Sequence, residues 1–409
     1  MQKRSTQDLI GLADKYAAHN YHPLPVVIER ARGVWVWDPE GRKYMDMLAA
    51  YSAVNQGHCH PRMVAALKEQ AERVTLTSRA FHNDQFGPLC ELLCTMTGYK
   101  KALLMNSGAE AVETAIKMAR KWGYTVKGVE KDKAEIIVFD NNFHGRTTTI
   151  VGFSTDAQYR DGFGPFTPGF RIARYGDLKS AEQALSKNTV AVLVEPIQGE
   201  AGIIIPPRGF LRGLADLCKA NRVLLVGDEI QSGLGRTGKL FASEHEGVRP
   251  DVMIVGKALS GGFYPVSAAL ADDAVMGVFK PGDHGSTFGG NPLGCAVARA
   301  ALEVIRDERL VENSAAMGDY LMKQLAGIPK DHIAGVRGKG LWVGIEIKTA
   351  SGKARPYCEA LQDLGILAKE THDQVVRIAP PLVITKEEID WAVPKIAEAV
   401  GVNRAAVHT

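Results

Sequence analysis

The sequence is poor in cysteine and has no long apolar run. Its six cysteines are scattered through 409 residues without the dense spacing of a disulfide framework, which favours a reducing compartment. No stretch approaches the roughly 18 apolar residues of a membrane helix, and the segment Met1–Asp8 lacks the apolar core of a signal peptide. We therefore expect a protein of the cytoplasm that does not enter a membrane.

A strong net charge and the motifs of several enzyme classes are also missing. The chain has 49 Lys and Arg against 46 Asp and Glu, and without a basic block nucleic-acid binding has no electrostatic support. No Gly-x-Ser-x-Gly turn supports a serine hydrolase. His58 and His60 have no second pair at metal spacing, so a turn before Pro61 explains them better than a metal site. Cys90 and Cys94 have helical spacing and are most simply core residues.

Strand-like and helical patterns alternate through the middle of the chain. Such alternation predicts an α/β sheet with helices on both faces, and 409 residues are enough for roughly two domains. An amphipathic stretch at Gly209–Asn221 and a helix opened by the capping box Ser107-Gly-Ala-Glu110 fit this architecture. The candidate strands are Ile136–Phe139, Val190–Val194, Val223–Val226 and Val252–Val255.

The pattern changes after about residue 305. Charged helical stretches there flank strand-like runs at Leu341–Ile347 and Gln374–Ile378, which predicts a smaller α+β domain. We predict an N-terminal segment over 1–59, a large domain over 60–307 and a small C-terminal domain over 308–409.

Two strand-like runs end in residues that can carry chemistry. The run from Asp251 delivers Lys257 into a glycine-rich turn, and the run from Val223 ends in Gly227, Asp228 and Glu229. Burying a lysine is costly unless it is paired or covalently engaged, so the lysine and a nearby carboxylate suggest the Schiff-base lysine and the pyridinium partner of a pyridoxal phosphate enzyme. A surface lysine at the end of a strand is the plainer alternative for Lys257 alone.

Two glycine motifs point to anion binding with different strength. Ser107-Gly-Ala-Glu110 places small residues at a helix N-terminus, where free N–H groups attract phosphate, although a plain capped helix has the same sequence. Gly233-Leu-Gly-Arg-Thr-Gly238 matches a dinucleotide fingerprint, but Asp228 and Glu229 precede it and would repel a pyrophosphate. Leu240 stands where a P-loop needs Ser or Thr, so neither nucleotide motif is complete.

The two strand ends together identify a family resemblance. Asp228-Glu-Ile-Gln-Ser-Gly-Leu-Gly-Arg-Thr-Gly238 followed by Gly256-Lys-Ala-Leu-Ser-Gly-Gly262 resembles the class III pyridoxal phosphate aminotransferases, essentially from end to end of the chain. Three more specific segments narrow the resemblance to the ornithine aminotransferases within that family: Asn20-Tyr-His-Pro-Leu-Pro25, Tyr51-Ser-Ala-Val-Asn-Gln-Gly57 and Ser78-Arg-Ala-Phe81.

The resemblance implies a fold-type I homodimer that binds pyridoxal 5′-phosphate at the subunit interface. Lys257 would form the Schiff base, and Asp228 would keep the pyridine nitrogen protonated. Ser286 and Thr287 would reach the phosphate from the partner subunit. The other cofactor-binding residues that the resemblance implies are Ser107, Gly108 and Ala109 at the phosphate, Phe143 over the ring, Gln231 near its 3-oxygen, and Glu195, an active-site acid without an assigned role.

The resemblance also implies a reaction and a set of substrate contacts. The δ-amino group of L-ornithine would pass to 2-oxoglutarate, with Lys257 moving the proton. Arg377 would bind the α-carboxylate of glutamate or 2-oxoglutarate, and Glu200 would mask Arg377 when ornithine enters. Tyr21, Arg146 and Tyr51 would hold and shape the distal end of ornithine. A structural salt bridge, or no contact at all, is the plainer alternative for Glu200 and Arg377.

Several other functions share most of these residues. Acetylornithine and 4-aminobutyrate aminotransferases share the cofactor-binding residues. Only the group formed by Tyr21, Tyr51 and Arg146 argues against these two activities. An aminomutase or a decarboxylase could use the same lysine, because a fold does not fix a reaction. A non-catalytic dimer descended from such an enzyme is a different class, and the intact Lys257, Asp228 and Arg377 argue against it.

Overall fold

The computed structural model describes residues 4–404, so the ends of the predicted N-terminal segment and C-terminal domain, 1–3 and 405–409, lie outside the described residues. Fifteen strands are formed in this part of the chain: β1 (Arg30–Arg32), β2 (Trp35–Trp37), β3 (Lys43–Asp46), β4 (Lys101–Met105), β5 (Glu135–Phe139), β6 (Phe170–Ala173), β7 (Thr189–Val194), β8 (Leu224–Asp228), β9 (Val252–Val255), β10 (Ser267–Ala271), β11 (Ile333–Lys339), β12 (Trp342–Ile347), β13 (Ile366–Leu367), β14 (Lys369–Thr371) and β15 (Val375–Ile378).

The helical elements alternate with these strands through the middle of the chain. They are α1 (Thr6–Tyr16), α2 (Ala49–Ser52), α3 (Pro61–Ala71), α4 (Phe86–Thr97), α5 (Gly108–Trp122), α6 (Thr148–Gly152), α7 (Ala157–Arg160), α8 (Leu178–Ala184), α9 (Phe210–Ala220), α10 (Asp273–Met276), α11 (Pro292–Asp307), α12 (Leu310–Leu325), α13 (Arg355–Asp363) and α14 (Lys386–Val400). A π-helical turn at Gly123–Lys127 extends α5, and 3₁₀ turns occupy Ala242–Glu246, Lys257–Ser260 and Thr349–Ser351.

A seven-stranded sheet forms the centre of the fold, in the order β4-β10-β9-β8-β7-β5-β6. The strands from β9 to β6 are parallel, and only β10 runs antiparallel to its two neighbours. Alternate residues of β5 face opposite helices: Ile136 packs in the core with α5, whereas Ile137 packs in the core with α9. The prediction of a mostly parallel sheet with helices on both faces is confirmed, and the four candidate strands agree with the structure to within two residues at either end.

Two smaller sheets lie outside the central one. One has the order β11-β12-β15-β14, and it is formed from the region predicted to be the small domain. The other has the order β1-β2-β3-β13, with β13 parallel to β3, so the N-terminal strands share a sheet with a strand from the C-terminal region. The predicted boundaries at residues 60 and 308 stay predictions.

Two kinds of structure, a membrane-spanning helix and a cluster of metal ligands, are absent from residues 4–404. No helix in this range combines the length and the apolar character needed to cross a lipid bilayer. Nor do three or more His, Cys, Asp or Glu side chains of these residues gather as metal ligands. His58 instead pairs with Asp46, and His60 pairs with Glu308, so the two histidines point toward different acids.

A close backbone contact between two glycines joins α12 to the turn between β11 and β12. A Cβ atom added at Gly318 would lie 2.2 Å from the carbonyl carbon of Gly340. We therefore expect Gly318→Ala to destabilise the protein by about 1–3 kcal/mol, measured as a lower midpoint of denaturant unfolding. Gly11→Ala is the matched control, because nothing lies within 4 Å of its Cβ and alanine favours the helix. Equal unfolding midpoints for the two variants would contradict this account of the contact.

Candidate active site

The candidate site lies where the parallel strands of the central sheet end. Asp228 is the last residue of β8, Glu195 directly follows β7, and Lys257 follows β9 after one glycine. Phe143 lies four residues beyond the end of β5. In an open α/β sheet the carboxyl ends of the strands form the ligand-binding edge, because the connecting loops diverge there.

These strand ends surround a cavity of about 190 Å³. Seven of the predicted site residues line it, and five others complete its wall: Gly108, Ala109, Phe143, Glu195, Asp228, Gln231 and Lys257 from the prediction, with His144, Gly145, Ile197, Ile230 and Ser232 as the rest. Ser107 stands immediately before this group as the N-cap of α5. The sequence therefore predicted most of the cavity wall, and Phe143 is a lining residue rather than a core aromatic.

The start of α5 forms one part of the cavity wall, through Gly108 and Ala109. The side chain of Ser107 accepts a hydrogen bond from the amide of Glu110, whose carboxylate accepts from the amide of Ser107, so the predicted capping box is confirmed. Gly108 and Ala109 occupy the first helical positions, whose N–H groups have no carbonyl one turn earlier to bind. Their amides and the positive end of the helix dipole form a site for an anion.

Asp228 is held by a neighbour that the sequence did not assign. His144 Nδ1 donates to Asp228 Oδ2 at 2.7 Å, and Asp228 Oδ1 accepts from the amide of Ile230 at 3.0 Å. Burial alone would lower the pKa of His144, but the hydrogen bond and the charges of Asp228 and Glu195 raise it above its ordinary value. The hydrogen bond from His144 fixes the carboxylate of Asp228 in one orientation.

Glu195 is a second buried carboxyl of the cavity. Its Oε2 accepts a hydrogen bond from the amide of Phe143 at 3.0 Å. Burial raises the pKa of Glu195 to about 7, the charge of Asp228 adds to the increase, and His144 opposes it. A buried carboxyl with a strongly raised pKa in a cavity is typical of functional sites.

Lys257 lies at the base of the cavity with its backbone in the left-handed region, at φ 45°. Burial lowers the pKa of its amine to about 8, with Glu200 raising it and Arg377 lowering it further. A lysine with this pKa is partly neutral near neutral pH, so it can act both as a nucleophile and as a base.

Glu200 and Arg377 meet at the other side of Gln231. Arg377 Nη2 lies 3.0 Å from Glu200 Oε1, which also accepts from Gln231 Nε2 at 3.0 Å. Burial would raise the pKa of Glu200, but Arg377, Lys257 and Gln231 lower it below its ordinary value, so the carboxylate is charged. Arg377 is almost completely buried, and among the described residues its Nε and Nη1 have no hydrogen-bond partner.

The three other predicted substrate residues, Tyr51, Arg146 and Tyr21, have different surroundings. The ring of Tyr51 lies 5.1 Å from the guanidinium of Arg377. Arg146 packs over Tyr159, 4.0 Å from the centre of its ring, and lies 5.8 Å from the ring of Phe143. Tyr21 is 77% exposed and lies on the surface of the chain.

Ser286 lies beside the start of α5 in its own chain. Its Oγ accepts from Asn106 Nδ2 at 2.8 Å, one residue before the cap Ser107. Thr287 is exposed. The contribution of Ser286 and Thr287 to the phosphate site of a partner subunit stays a prediction.

The glycine motif after β8 has a structural role. Glu229 is buried, and its carboxylate accepts from the amides of Ala242 and Ser243 at 3.0 and 2.8 Å. Arg236, inside the Gly233–Gly238 motif, is fully buried and donates to the carbonyls of Leu341 and Pro380. These contacts tie the loop to the C-terminal region, which explains the conformation of the motif without a nucleotide.

Two residues of the site were missed by the sequence analysis. His144 follows Phe143 directly, and its position after β5, at the edge where Asp228 and Glu195 also lie, was the available signal. Tyr159 packs against Arg146 and Phe143 from α7. No sequence pattern marks Tyr159, because it lies in a single helical turn outside every motif.

Comparison with known proteins agrees with this geometry. The aminotransferase class-III family matches residues 16–400. The chain belongs to the class-III aminotransferases. It is 59% identical to the ornithine aminotransferase of Brevibacillus brevis over 97% of this chain and 99% of that one. The ornithine aminotransferase of Toxoplasma gondii, whose structure has partial occupancy of PLP at its active site, superposes with a TM-score of 0.95 at 45% identity, covering 98% of this chain and 95% of that one.

A structure with a different activity is also similar. The acetylornithine aminotransferase of Elizabethkingia anophelis is 48% identical, with a TM-score of 0.88, over 97% of this chain and 99% of that one. Overall identity therefore does not separate the two substrates. The residues that contact the substrate must separate them.

The family uses pyridoxal 5′-phosphate, and the cavity of this chain fits it. A helix N-terminus at Gly108 suits the phosphate, the Asp228 carboxylate suits a protonated ring nitrogen, and the buried amine of Lys257 suits the carbonyl carbon. All three line one cavity.

Proposed function

We propose that this protein transfers the δ-amino group of L-ornithine to 2-oxoglutarate, giving glutamate 5-semialdehyde, which can cyclise to pyrroline-5-carboxylate, and L-glutamate. The buried pair of Glu200 and Arg377 beside the Lys257 cavity carries the proposal. A reaction that takes one substrate at its distal amine and another at its α-keto group needs a carboxylate-binding arginine that can be covered for one and uncovered for the other.

The chain would hold the cofactor through the amide groups at the start of α5 and the carboxylate of Asp228, all of which have fixed positions. Gly108 and Ala109 bind the phosphate, with Ser107 shaping the helix start. Asp228, oriented by His144, binds the ring nitrogen, and Phe143 covers a face of the ring. When bound, the cofactor supplies a carbonyl that condenses with amines and a ring that accepts the electrons released when a proton leaves the adjacent carbon. Gln231 and Glu195 complete the polar wall.

Lys257 moves the proton in this proposal. Its Nζ would take a proton from the δ-carbon of the bound amine and hold it for return to the reacting atoms. The pKa of about 8 that burial gives Lys257 matches this task, because a base works best when its pKa lies near the working pH. The surrounding apolar and backbone groups keep water away from Nζ during the transfer.

Arg377 binds the α-carboxylate of 2-oxoglutarate or L-glutamate. Its Nε and Nη1 carry N–H groups that have no hydrogen-bond partner among the described residues, although they are buried. A buried N–H without a partner is costly, and a substrate carboxylate would supply a charged acceptor for these groups. With ornithine bound, Glu200 remains on Arg377 and the distal end of ornithine contacts Tyr21, Tyr51 and Arg146.

We propose further that the active protein is a homodimer of the cytoplasm. Ser286 lies next to Asn106 at the start of α5 and Thr287 beside it is exposed, which supports a role for this loop at an interface near the phosphate. All six cysteines are free, in keeping with a reducing compartment. Size-exclusion chromatography with light scattering measures the assembly directly.

The substrate is tested by single-amine half-reactions of the purified protein loaded with pyridoxal phosphate. L-Ornithine, N-acetylornithine and 4-aminobutyrate are added separately without a keto acid, and the cofactor absorbance is followed. We expect L-ornithine to convert the cofactor at least about tenfold faster than either rival, the discrimination expected from about 1.4 kcal/mol of differential contact. Faster conversion by N-acetylornithine would assign the acetylornithine reaction instead.

A further inference from the structure

The helix-like turn α2 has a left-handed backbone. Four consecutive residues with side chains have positive φ angles: Ala49 at 49°, Ala50 at 47°, Tyr51 at 58° and Ser52 at 69°. In this region the Cβ atom crowds the following carbonyl, so residues other than glycine normally visit it singly. A strained backbone persists only where the surrounding structure holds it, and such segments gather at functional sites.

One carboxylate and one imidazole hold the start of this turn. Asp46 Oδ1 accepts from the amides of Leu48 and Ala49 at 2.8 and 2.9 Å. Asp46 Oδ2 accepts from His58 Nε2 at 2.7 Å, which fixes the direction of the carboxylate. Asp46 is buried at the end of β3, and both of its carboxylate oxygens accept hydrogen bonds.

The same turn is tied to the strand that carries Arg377. The carbonyl of Met47 accepts from the amide of Ala379 at 2.6 Å, two residues after Arg377 in the chain. The left-handed path then directs the ring of Tyr51 toward the guanidinium of Arg377, 5.1 Å away. A right-handed turn from the same start would send this side chain in a different direction.

We propose that Asp46 and His58 are positioning residues for substrate selection, because they hold the left-handed turn that sets Tyr51 against Arg377. The inference rests on the proposed function and deepens it. Tyr51 forms a rigid aromatic wall beside the pair of Glu200 and Arg377. Loss of the turn moves the wall, which weakens the site for the distal end of L-ornithine, while L-glutamate keeps its main contact with Arg377.

A rescue experiment tests the turn itself. Asp46→Ala removes both amide contacts, and we expect it to raise KM for L-ornithine about tenfold with less change in kcat, since misplaced contacts cost binding before chemistry. The half-reaction with L-glutamate should change less than about threefold. Ala50→Gly removes the Cβ from a left-handed position, so the double variant Asp46→Ala with Ala50→Gly should recover much of the lost affinity for L-ornithine.

Two histidine variants keep the test sharp if Asp46→Ala does not fold. His58→Ala leaves the carboxylate but frees it to rotate, and it should raise KM for L-ornithine in the same direction. His60→Ala, two residues away and paired with Glu308, is the matched control and should leave KM unchanged. Equal effects on both amino acids, or no rescue by glycine, would overturn the inference. A wild-type protein that ignores L-ornithine would instead overturn the proposed function.

Discussion

Lys257→Ala lowers kcat/KM for the overall transamination by at least about 10⁴-fold, the upper range for loss of a positioned proton carrier. The reason is the position of the amine rather than its charge alone. Lys257 is the buried amine that lines the cavity together with Asp228 and Gly108. In the alanine variant, a water molecule would not replace it as a base held at that position. The measurement is steady-state transamination of L-ornithine and 2-oxoglutarate by cofactor-loaded protein.

The control for Lys257→Ala is retention of the cofactor. Gly108, Ala109 and Asp228 remain in the variant, so we expect pyridoxal phosphate to bind reversibly and to be removed by dialysis, which the wild type resists. Lys239→Ala, a lysine of the neighbouring loop that does not line the cavity, should keep normal activity. Wild-type turnover by Lys257→Ala would refute the central assignment.

Glu200→Ala has the second largest expected effect, and it acts on selectivity. Without Glu200, Arg377 keeps its charge in a buried position and offers more N–H groups to a carboxylate. We expect the ratio of kcat/KM for L-glutamate over that for L-ornithine to rise by about 10²-fold, the size of 2–3 kcal/mol for an unmasked buried arginine. Both half-reactions are measured by stopped-flow absorbance.

A second ion pair between an acid and an arginine provides the control. It distinguishes the unmasking of Arg377 from the general effect of removing a charged partner. Asp272 forms a bidentate pair with Arg249, at 2.9 and 3.0 Å, at the edge of the central sheet opposite the cavity. Asp272→Ala should leave the selectivity ratio unchanged. A ratio for Glu200→Ala equal to that of the wild type would sink the gating role, and the pair would then be a structural salt bridge.

The sequence predicted the parts of this molecule that depend on local pattern. The strands of the central sheet are buried on both faces and read as short apolar runs, so β5, β7, β8 and β9 were predicted closely. The capping box at Ser107 was predicted because both of its side chains lie within four residues. Asp228 and Lys257 were found because a polar residue directly after a buried strand lies at the ligand-binding edge.

Other contacts depend on the tertiary fold and have no local sequence pattern. The contact between Glu200 and Arg377, which the resemblance implied, forms because β15 lies next to the loop after β7. His144 was left without a role, since its partner Asp228 lies on another strand. The turn at Ala49–Ser52 has residues that favour a right-handed helix, and its opposite hand is explained by the contacts of Asp46 with the distant His58 and of Met47 with Ala379.

The pairing of β3 with β13 and the contact between Met47 and Ala379 bring the two ends of the chain together at the cavity. The cofactor side of the cavity comes from residues between Ser107 and Lys257, which leave the ribosome as one continuous stretch. The substrate side combines Tyr51 from near the start of the chain with Arg377 from near its end. The residues that would choose the amine therefore come together only when the two ends of the chain do, whereas most of those that would hold the cofactor come from its middle.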